Sequence, residues 1–422
     1  MKVGIGLLGR RGIGSLRNLR TFSSLQNRNY RLYFIGMAGQ WIGINMEVVT
    51  RSLLIYRLTG SAALLGLMSL TQAISMLLLS LFGGVISDRV QKKKVIIIST
   101  MGLAAVYLGL GLVLTLGYLS PERPGSWWIL IVSSVFQGGF LGFFMPSRQA
   151  IISEIVNREQ VMNAVALNSL GMNTLRFLAP ALAGFLIDAF DFEAVYYSIV
   201  VTYLFAVIFI ALVPPTGKVT IRTSGTINGI REGFRYVRRE TIVFLILIFT
   251  VLVVVLSGPY QYLLPILTED VLRVGATELG ILMSASGVGA MVGSLAIASL
   301  PNKKRGAILI VSSLILGIAL ACFSFSRSWY LSLVLIALVG LGTAGRQSLG
   351  SILLQCYTKS EYLGRVMSLY MMEFGLMSLG TFTAGLLTEL IGVEWTLGGF
   401  AMTLSLLSIL ALVFAPRLRK LD

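Results

Sequence analysis

The sequence predicts an all-α membrane protein with twelve transmembrane helices in two pseudo-twofold-related six-helix bundles. This prediction depends on the composition, the length of the apolar runs and an internal repeat. The chain of 422 residues is 56% hydrophobic and 12% charged, with a mean hydropathy of +0.85. A soluble protein carries about a quarter charged residues. So apolar a chain is expected in a lipid bilayer.

The apolar runs set the predicted helices and domains, because a helix needs about 20 apolar residues to cross the bilayer hydrocarbon. Twelve such runs lie approximately at residues 31–56, 61–86, 94–117, 127–146, 163–187, 194–214, 241–266, 278–300, 306–326, 329–349, 365–390 and 394–415. The predicted organisation is a basic arm (1–29), an N-terminal bundle (30–214), a polar linker (215–240), a C-terminal bundle (241–416) and a tail (417–422).

The basic residues predict the orientation, since cytoplasmic loops are enriched in Lys and Arg. If the N-terminus is cytoplasmic, most of the 34 Lys and Arg lie in the arm, the inner loops, the linker and the tail. The outer loops contain only Arg57, Arg123, Arg273 and Arg327, and the predicted helices contain Arg51 and Arg176. Both termini are therefore expected in the cytoplasm, with the chain in the plasma (inner) membrane. The net charge of +16 lies in short clusters and not in a continuous stripe, so no nucleic-acid partner is expected.

An internal repeat relates the two halves. The segment NAVALNSLGMNTLRFLAPALAGFL, from Asn163, aligns without gaps on GRVMSLYMMEFGLMSLGTFTAGLL, from Gly364, at an offset of 201 residues. Each segment is preceded by an Arg-Gln pair, Arg148-Gln149 and Arg346-Gln347. Six-helix parallel repeats around a central cavity are typical of secondary transporters.

The stretch GGVISDRVQKKK resembles the loop 2–3 signature of the major facilitator superfamily, with Gln91 at a position that is usually Gly. Its other positions are occupied by Gly84, Asp88, Arg89, Lys92 and Lys93. Four further stretches are similar to the bacterial branch of enterobactin-exporter-like and macrolide-efflux-like proteins: NRNYRLYFIGMAGQWIG, LTGSAALLGL, PSRQAIISEIVNREQVMNAVALNSL and GRVMSLY. The resemblance implies the major facilitator fold, efflux activity and a monomer.

The resemblance also implies gating residues at the cytoplasmic end. Asp88 is expected to latch this end by accepting N–H groups at the start of the eleventh helix, near Gly364, Arg365 and Val366, where the helix dipole favours an acid. The alternative is a solvated loop charge that only fixes topology. The stretch LRFLAPALAG in the fifth helix resembles an antiporter signature, with Ala in place of two of its glycines.

Ionisable residues within predicted helices are candidates for substrate binding or proton coupling, because each costs about 2.5–3.5 kcal/mol at the bilayer centre. They are Glu47, Arg51, Arg176 and Glu373. Arg176 lies near the predicted midplane, about 18 Å into its helix, and is expected to hold an acidic substrate group or a carboxylate of another helix. A structural pair within the N-terminal bundle is the alternative.

The remaining ionisable positions leave further alternatives open. Glu47 and Arg51 are spaced i,i+4 and can pair along one helix face. Alternatively, Glu47 loads a proton from outside and Arg51 snorkels to the outer headgroups. Glu373 is either a coupling residue or a partner of Arg176 or Arg346.

The predicted function is secondary active export of an amphipathic small molecule of the drug, macrolide or siderophore class. An apolar cavity with few polar groups suits such a substrate, and the candidate lining residues are Gln40, Asn45, Gln137, Asn168, Asn173, Tyr260, Gln261 and Tyr370. Alternating access driven by inward proton flow is expected. Two alternatives are a lipid or lysolipid flippase on the same fold and a non-transporting membrane sensor or assembly factor.

The sequence does not indicate an enzyme. It contains no histidine, no Walker A loop and no nucleophile–base pair. No metal or cofactor is expected beyond the proton gradient, and the expected partners are the substrate, protons and the lipid bilayer.

Overall fold

The computed structural model describes residues 24–123, 125–157, 160–215, 226–300 and 303–422, without the side chains of residues 81–89 and 226–231. These residues form fifteen α-helices and one π-helical turn. The elements are α1 (Arg28–Thr59), α2 (Ala62–Arg89), α3 (Lys92–Thr115), α4 (Trp128–Ile155), α5 (Val161–Ala211), α6 (Thr226–Arg239), α7 (Thr241–Ser257), α8 (Tyr260–Ile266), the π turn (Leu267–Val271), α9 (Ala276–Ser299), α10 (Arg305–Ser324), α11 (Trp329–Tyr357), α12 (Leu363–Met371), α13 (Glu373–Ile391), α14 (Val393–Phe414) and α15 (Pro416–Arg419).

Ten helical segments in the described part of the chain are long and apolar enough to cross a membrane. The chain is therefore an integral membrane protein, as its composition predicts. α1, 32 residues long, lies outside these ten and carries Gln40, Asn45, Glu47 and Arg51. α5 counts once among them, although it contains 51 residues.

α5 is broken at Asp191, between the predicted helices 163–187 and 194–214. Its 51 residues would extend roughly 77 Å as a straight helix, more than twice the hydrocarbon thickness. Asp191 has φ 71° and ψ 179°, and its carboxylate accepts the Phe192 N–H at 2.8 Å. Gly171 before the break and Tyr203 after it both pack on α1. The chain therefore turns back at Asp191.

Other predicted boundaries differ from the structure as well, and the predicted helix 329–349 continues to Tyr357 as α11. The fourth helix was predicted to end at Pro146, but α4 continues to Ile155 with Pro146 inside it. Membrane helices tolerate proline because neighbouring groups satisfy the freed backbone. The predicted helix 241–266 is interrupted at Gly258–Pro259, and the predicted helix 365–390 begins at Leu363 and is interrupted at Met372.

The predicted linker, residues 215–240, contains a helix, α6. Tyr236 near its end stacks on Tyr362, with ring centroids 4.3 Å apart and planes 6° from parallel. The Tyr236 hydroxyl also accepts the Lys359 N–H at 3.1 Å. The described end of the linker is thus attached to the loop before α12.

Two similar helix crossings join the N-terminal half (residues 24–215) to the C-terminal half (residues 226–422). α5 packs against α9, and α2 packs against α13. A Cβ on Gly184 of α5 would lie 2.1 Å from the Ala276 carbonyl oxygen, and one on Gly385 of α13 would lie 2.4 Å from the Ala62 carbonyl oxygen. Small residues allow this close approach. Gly184 and Gly385 are separated by the repeat offset of 201.

Candidate functional site

A buried polar network centred on Arg51 lies inside the N-terminal half. The Arg51 Nε lies 2.8 Å from the Glu47 carboxylate, and each residue is 3% exposed. Arg51 also donates to Gln72 of α2 at 2.7 Å, to Ser134 of α4 at 3.4 Å and to Gln137 of α4. The expected i,i+4 pair therefore forms. The alternative that Arg51 snorkels to the outer headgroups is wrong, because acceptors on two neighbouring helices hold it inside.

A second buried ion pair lies inside the C-terminal half. The Arg346 Nη1 lies 3.1 Å from the Glu373 carboxylate, and the two residues are 4% and 2% exposed. Of the two partners expected for Glu373, the structure selects Arg346 and not Arg176. Tyr370 lies close by and donates its hydroxyl to the Gln347 carbonyl oxygen at 3.3 Å.

Two half-buried arginines of the N-terminal half have no acidic partner among the side chains that the structure describes. Arg176 on α5 is half-buried and makes no hydrogen bond within this part of the chain. Arg148 on α4 is half-buried as well. Its Nη2 contacts the Met172 sulfur at 3.8 Å, and its Nε is enclosed without an acceptor. The alternative of a structural acid partner for Arg176 therefore finds no support in the described residues.

Six of the eight expected cavity-lining residues form hydrogen bonds inside their own halves. In the N-terminal half, Gln40 accepts the Thr100 hydroxyl at 3.2 Å, and Asn45 donates to the Trp41 carbonyl oxygen at 2.7 Å. Gln137, part of the Arg51 network, also donates to Tyr107. In the C-terminal half, the Tyr260 hydroxyl lies 3.1 Å from that of Ser286 and accepts from Gln261 at 3.3 Å. On α5, Asn168 is buried and Asn173 is half-buried.

The predicted cytoplasmic gate is described only in part. Gly84, Asp88 and Arg89 lie in α2 among the residues whose side chains are not described, so the expected Asp88 latch lies outside the described residues. Lys92 pairs with Glu154 of α4, and Lys93 donates to the Ala211 and Val213 carbonyl oxygens at the end of α5.

These two lysines hold α3 to its neighbours within one half. Arg365 of α12 pairs with Glu232 of α6 at 2.7 Å, which adds a second attachment for the linker helix.

The opposite end carries two acidic side chains that bind helix N-termini of the other half. Asp188 of α5 accepts the Ala276 N–H at 3.3 Å and the Thr277 N–H at 2.7 Å, at the start of α9. Glu389 of α13 accepts the Ala63 N–H at 3.1 Å, at the start of α2, together with the Ser61 hydroxyl. Carboxylates are stabilised at helix N-termini by unpaired N–H groups and by the helix dipole.

We call Asp188 and Glu389 the outer clasps, because the basic residues predict that this end faces outward. They are separated by the repeat offset of 201 and so occupy equivalent positions in the two halves. Two further contacts cross between the halves here: the Arg57 Nε lies 2.7 Å from Glu269, and the Tyr56 hydroxyl donates to Asp270. Sequence reasoning missed the clasps, although extending the repeat alignment by two residues reaches both acids.

Comparison with known proteins identifies the relatives of this chain. Residues 19–422 match the family described as transmembrane secretion effector. The staphyloferrin A transporter of Staphylococcus aureus is 25% identical, over 86% of this chain and 89% of that protein. Macrolide efflux protein A of Streptococcus pyogenes is 26% identical, over 93% and 98% of the two chains. The enterobactin exporter EntS of Escherichia coli is 26% identical, over 80% and 77%.

Solved structures share the fold at low sequence identity. A POT family transporter in complex with 5-aminolevulinic acid has a TM-score of 0.74 at 11% identity, covering 93% of this chain and 97% of that one. A mutant of the nucleoside transporter NupG has a TM-score of 0.71 at 14% identity, covering 91% and 99%. These likenesses establish the fold and say nothing of the substrate.

Proposed function

Because the chain belongs to the transmembrane secretion effector family of the major facilitator superfamily, we propose that it exports an amphipathic small molecule by alternating access. The chain is a membrane transporter and not an enzyme. The matched relatives are named for siderophore transport, siderophore export and macrolide efflux. We therefore place the substrate in the drug, macrolide or siderophore class.

The topology that we propose has twelve crossings and two cytoplasmic termini. α1 is counted as a span beside the ten apolar segments, and α5 is counted as two because of the break at Asp191. This gives six crossings before the linker and six after it. The 201-residue repeat and the placement of the basic residues support this topology.

The observation that best supports alternating access is the pair of equivalent crossings between the halves, α5 with α9 and α13 with α2. Gly184 and Gly385 allow the same close approach in both crossings, and the outer clasps join both at the same end. Two bundles that rock about these crossings would open this end by breaking hydrogen bonds and ion pairs, while the packing further along α5 and α9, where Gly280 and Gly287 lie against Pro180 and Phe177, persists.

Proton coupling is proposed for the two buried acids, Glu47 and Glu373. Each is paired with an arginine inside one half. Protonation of either carboxylate would remove half of a buried ion pair, and the arginine left uncompensated would change the balance between conformations. Inward proton flow could drive export in this way.

Transport into inside-out membrane vesicles tests the proposal. Vesicles energised to an acidic lumen should accumulate a macrolide or a siderophore above its external concentration, and nigericin should abolish the accumulation. Accumulation that survives nigericin would refute proton coupling. Movement of lysolipid alone would favour the flippase, and ligand binding without any flux would favour the sensor.

A further inference from the structure

The repeat brings out an asymmetry between the two halves. In the C-terminal half, Arg346 of α11 pairs with Glu373 of α13. The Arg-Gln pairs that precede the two repeats make Arg148 the counterpart of Arg346, and the offset of 201 makes Met172 the counterpart of Glu373. The structure brings this second pair into contact too, with the Arg148 Nη2 3.8 Å from the Met172 sulfur. The two equivalent arginines thus have different partners: Arg346 contacts an acid and Arg148 contacts a thioether.

Met172 is a poor partner for Arg148. A thioether sulfur is a weak hydrogen-bond acceptor and carries no charge. The Arg148 Nε is enclosed without an acceptor, as is the Nε of Arg346 in the C-terminal half, so the two arginines differ in what their terminal nitrogens contact. The guanidinium also lies 6.0 Å from the Phe144 ring centroid, in a setting of apolar and aromatic side chains from α1, α4 and α5. Arg148 is therefore a cation whose counter-ion is absent from the described residues.

Arg176 is a second cation, one helical turn beyond Met172 on α5. It follows Met172 by four residues on α5, so its Cβ lies on the same helix face about one turn away. Its counterpart at the offset of 201 is Met377, so the C-terminal half has no cation at this position. The N-terminal half thus carries two half-buried arginines without acidic partners among the described side chains, whereas the equivalent C-terminal site carries a neutral Arg–Glu pair.

We propose that Arg148 and Arg176 form an oxyanion site for a substrate that joins an apolar body to carboxylate groups. A guanidinium presents a planar fork of donors that matches a carboxylate, and the Nη2 of Arg148 contacts only the thioether of Met172. Phe144, Met172 and the neighbouring aromatic residues supply an apolar wall. This inference depends on the proposed export function and narrows its substrate to anionic amphiphiles.

The test compares two ligands of the same shape and different charge, naphthalene-2,6-dicarboxylate and naphthalene-2,6-dicarboxamide. Their affinities for the full chain in nanodiscs of neutral lipid are measured by calorimetry. The dicarboxylate should bind at least about tenfold more tightly, as expected for one charge-assisted hydrogen bond. Arg148→Gln and Arg176→Gln should each remove most of this difference, whereas Arg417→Gln, an exposed arginine of the C-terminal end, should preserve it.

A substitution at Met172 gives a sharper test, because it can change the charge at the site while both arginines stay in place. Met172→Glu recreates the acid of the C-terminal half, so it should pair with Arg148 and abolish the preference for the dicarboxylate. Met172→Gln has the same length and no charge, so it isolates the effect of the added carboxylate: the preference for the dicarboxylate should be larger in Met172→Gln than in Met172→Glu. If Met172→Glu binds both ligands as the unaltered protein does, Arg148 does not hold the anion and the proposal is wrong.

Three further outcomes separate this inference from others. If lysophosphatidate binds with dependence on Arg148 and the dicarboxylate does not, the site takes a lipid headgroup and the small-molecule proposal fails. Export of macrolides in vesicles without any preference for anions would leave the transport function standing and overturn the oxyanion site. Anion binding without export of any compound would support the oxyanion site and overturn the transport function.

Discussion

Removing the outer clasps should shift the protein towards a state open at the outer end. The proposed changes are Asp188→Ala and Glu389→Ala, since each deletes a carboxylate that binds a helix N-terminus of the other half. Loss of an N-terminal capping side chain costs about 1 kcal/mol. Each variant should therefore raise the ratio of open to closed molecules about fivefold, and the double variant about thirtyfold. Asp188→Asn keeps one acceptor oxygen and should have a smaller effect, within the 0.3–1 kcal/mol of a helix-dipole charge.

The distance between spin labels at the outer end measures this shift. Glu122→Cys and Ser328→Cys place one label in each half at exposed positions, once the exposed Cys322 and Cys356 have been replaced by serine. Double electron–electron resonance should show a long-distance population that grows in each single variant. Because the clasps lie at two separate crossings, their free energies should add.

Glu193→Ala provides the matched control. Glu193 lies at the same end of the protein, five residues after Asp188, and forms no ion pair or hydrogen bond within the described residues. It should leave the distance distribution unchanged. The reasoning is refuted if Glu193→Ala shifts the distances as far as Asp188→Ala does, or if the double clasp variant stays closed.

Three further changes test other parts of the structure. Glu373→Gln leaves Arg346 buried without a counter-ion and should lower the free energy of unfolding by about 3–5 kcal/mol. Replacing both residues, by Leu and Met, should restore most of that stability. If chemical unfolding shows no loss of stability in the single variant, the buried pair is contradicted. Glu47→Gln should make export in vesicles insensitive to nigericin while binding remains, and an unchanged dependence would argue against a coupling role. Gly184→Leu should abolish transport and hold the outer spin labels apart, because a Cβ alone would lie 2.1 Å from a carbonyl oxygen of α9. Gly109→Leu is the control, since Gly109 has open space around it. Normal transport by Gly184→Leu would contradict the close crossing of α5 and α9.

The helices could be predicted from the sequence because hydropathy reports membrane burial directly. The points at which helices are interrupted were harder to predict. Pro146 was taken as a terminus, but the structure keeps it inside α4, and the turn at Asp191 depends on one residue with a positive φ. Met372 interrupts a helix with no proline or glycine at the break. Such local conformations are decided by packing that apolar periodicity does not record.

The candidate site was predictable where partners are close in sequence. Glu47 and Arg51 are one turn apart, and the expected pair is present. The burial of Arg51 was missed because its other acceptors, Gln72 and Gln137, lie on helices distant in sequence. Likewise, two arginines could have paired with Glu373, and only the packing of α11 against α12 and α13 selects Arg346.

The two halves are alike where they contact each other and differ where a substrate would bind. At the offset of 201, glycine matches glycine at the crossings and acid matches acid at the outer clasps, whereas Glu373 is matched by Met172. A rocking motion about a pseudo-twofold axis strains both crossings equally, so equivalent contacts at both would open together. A small molecule without twofold symmetry gains nothing from equivalent contacts on its two sides. The position at which the repeat loses its acid is therefore where an asymmetric ligand is expected to supply the missing charge.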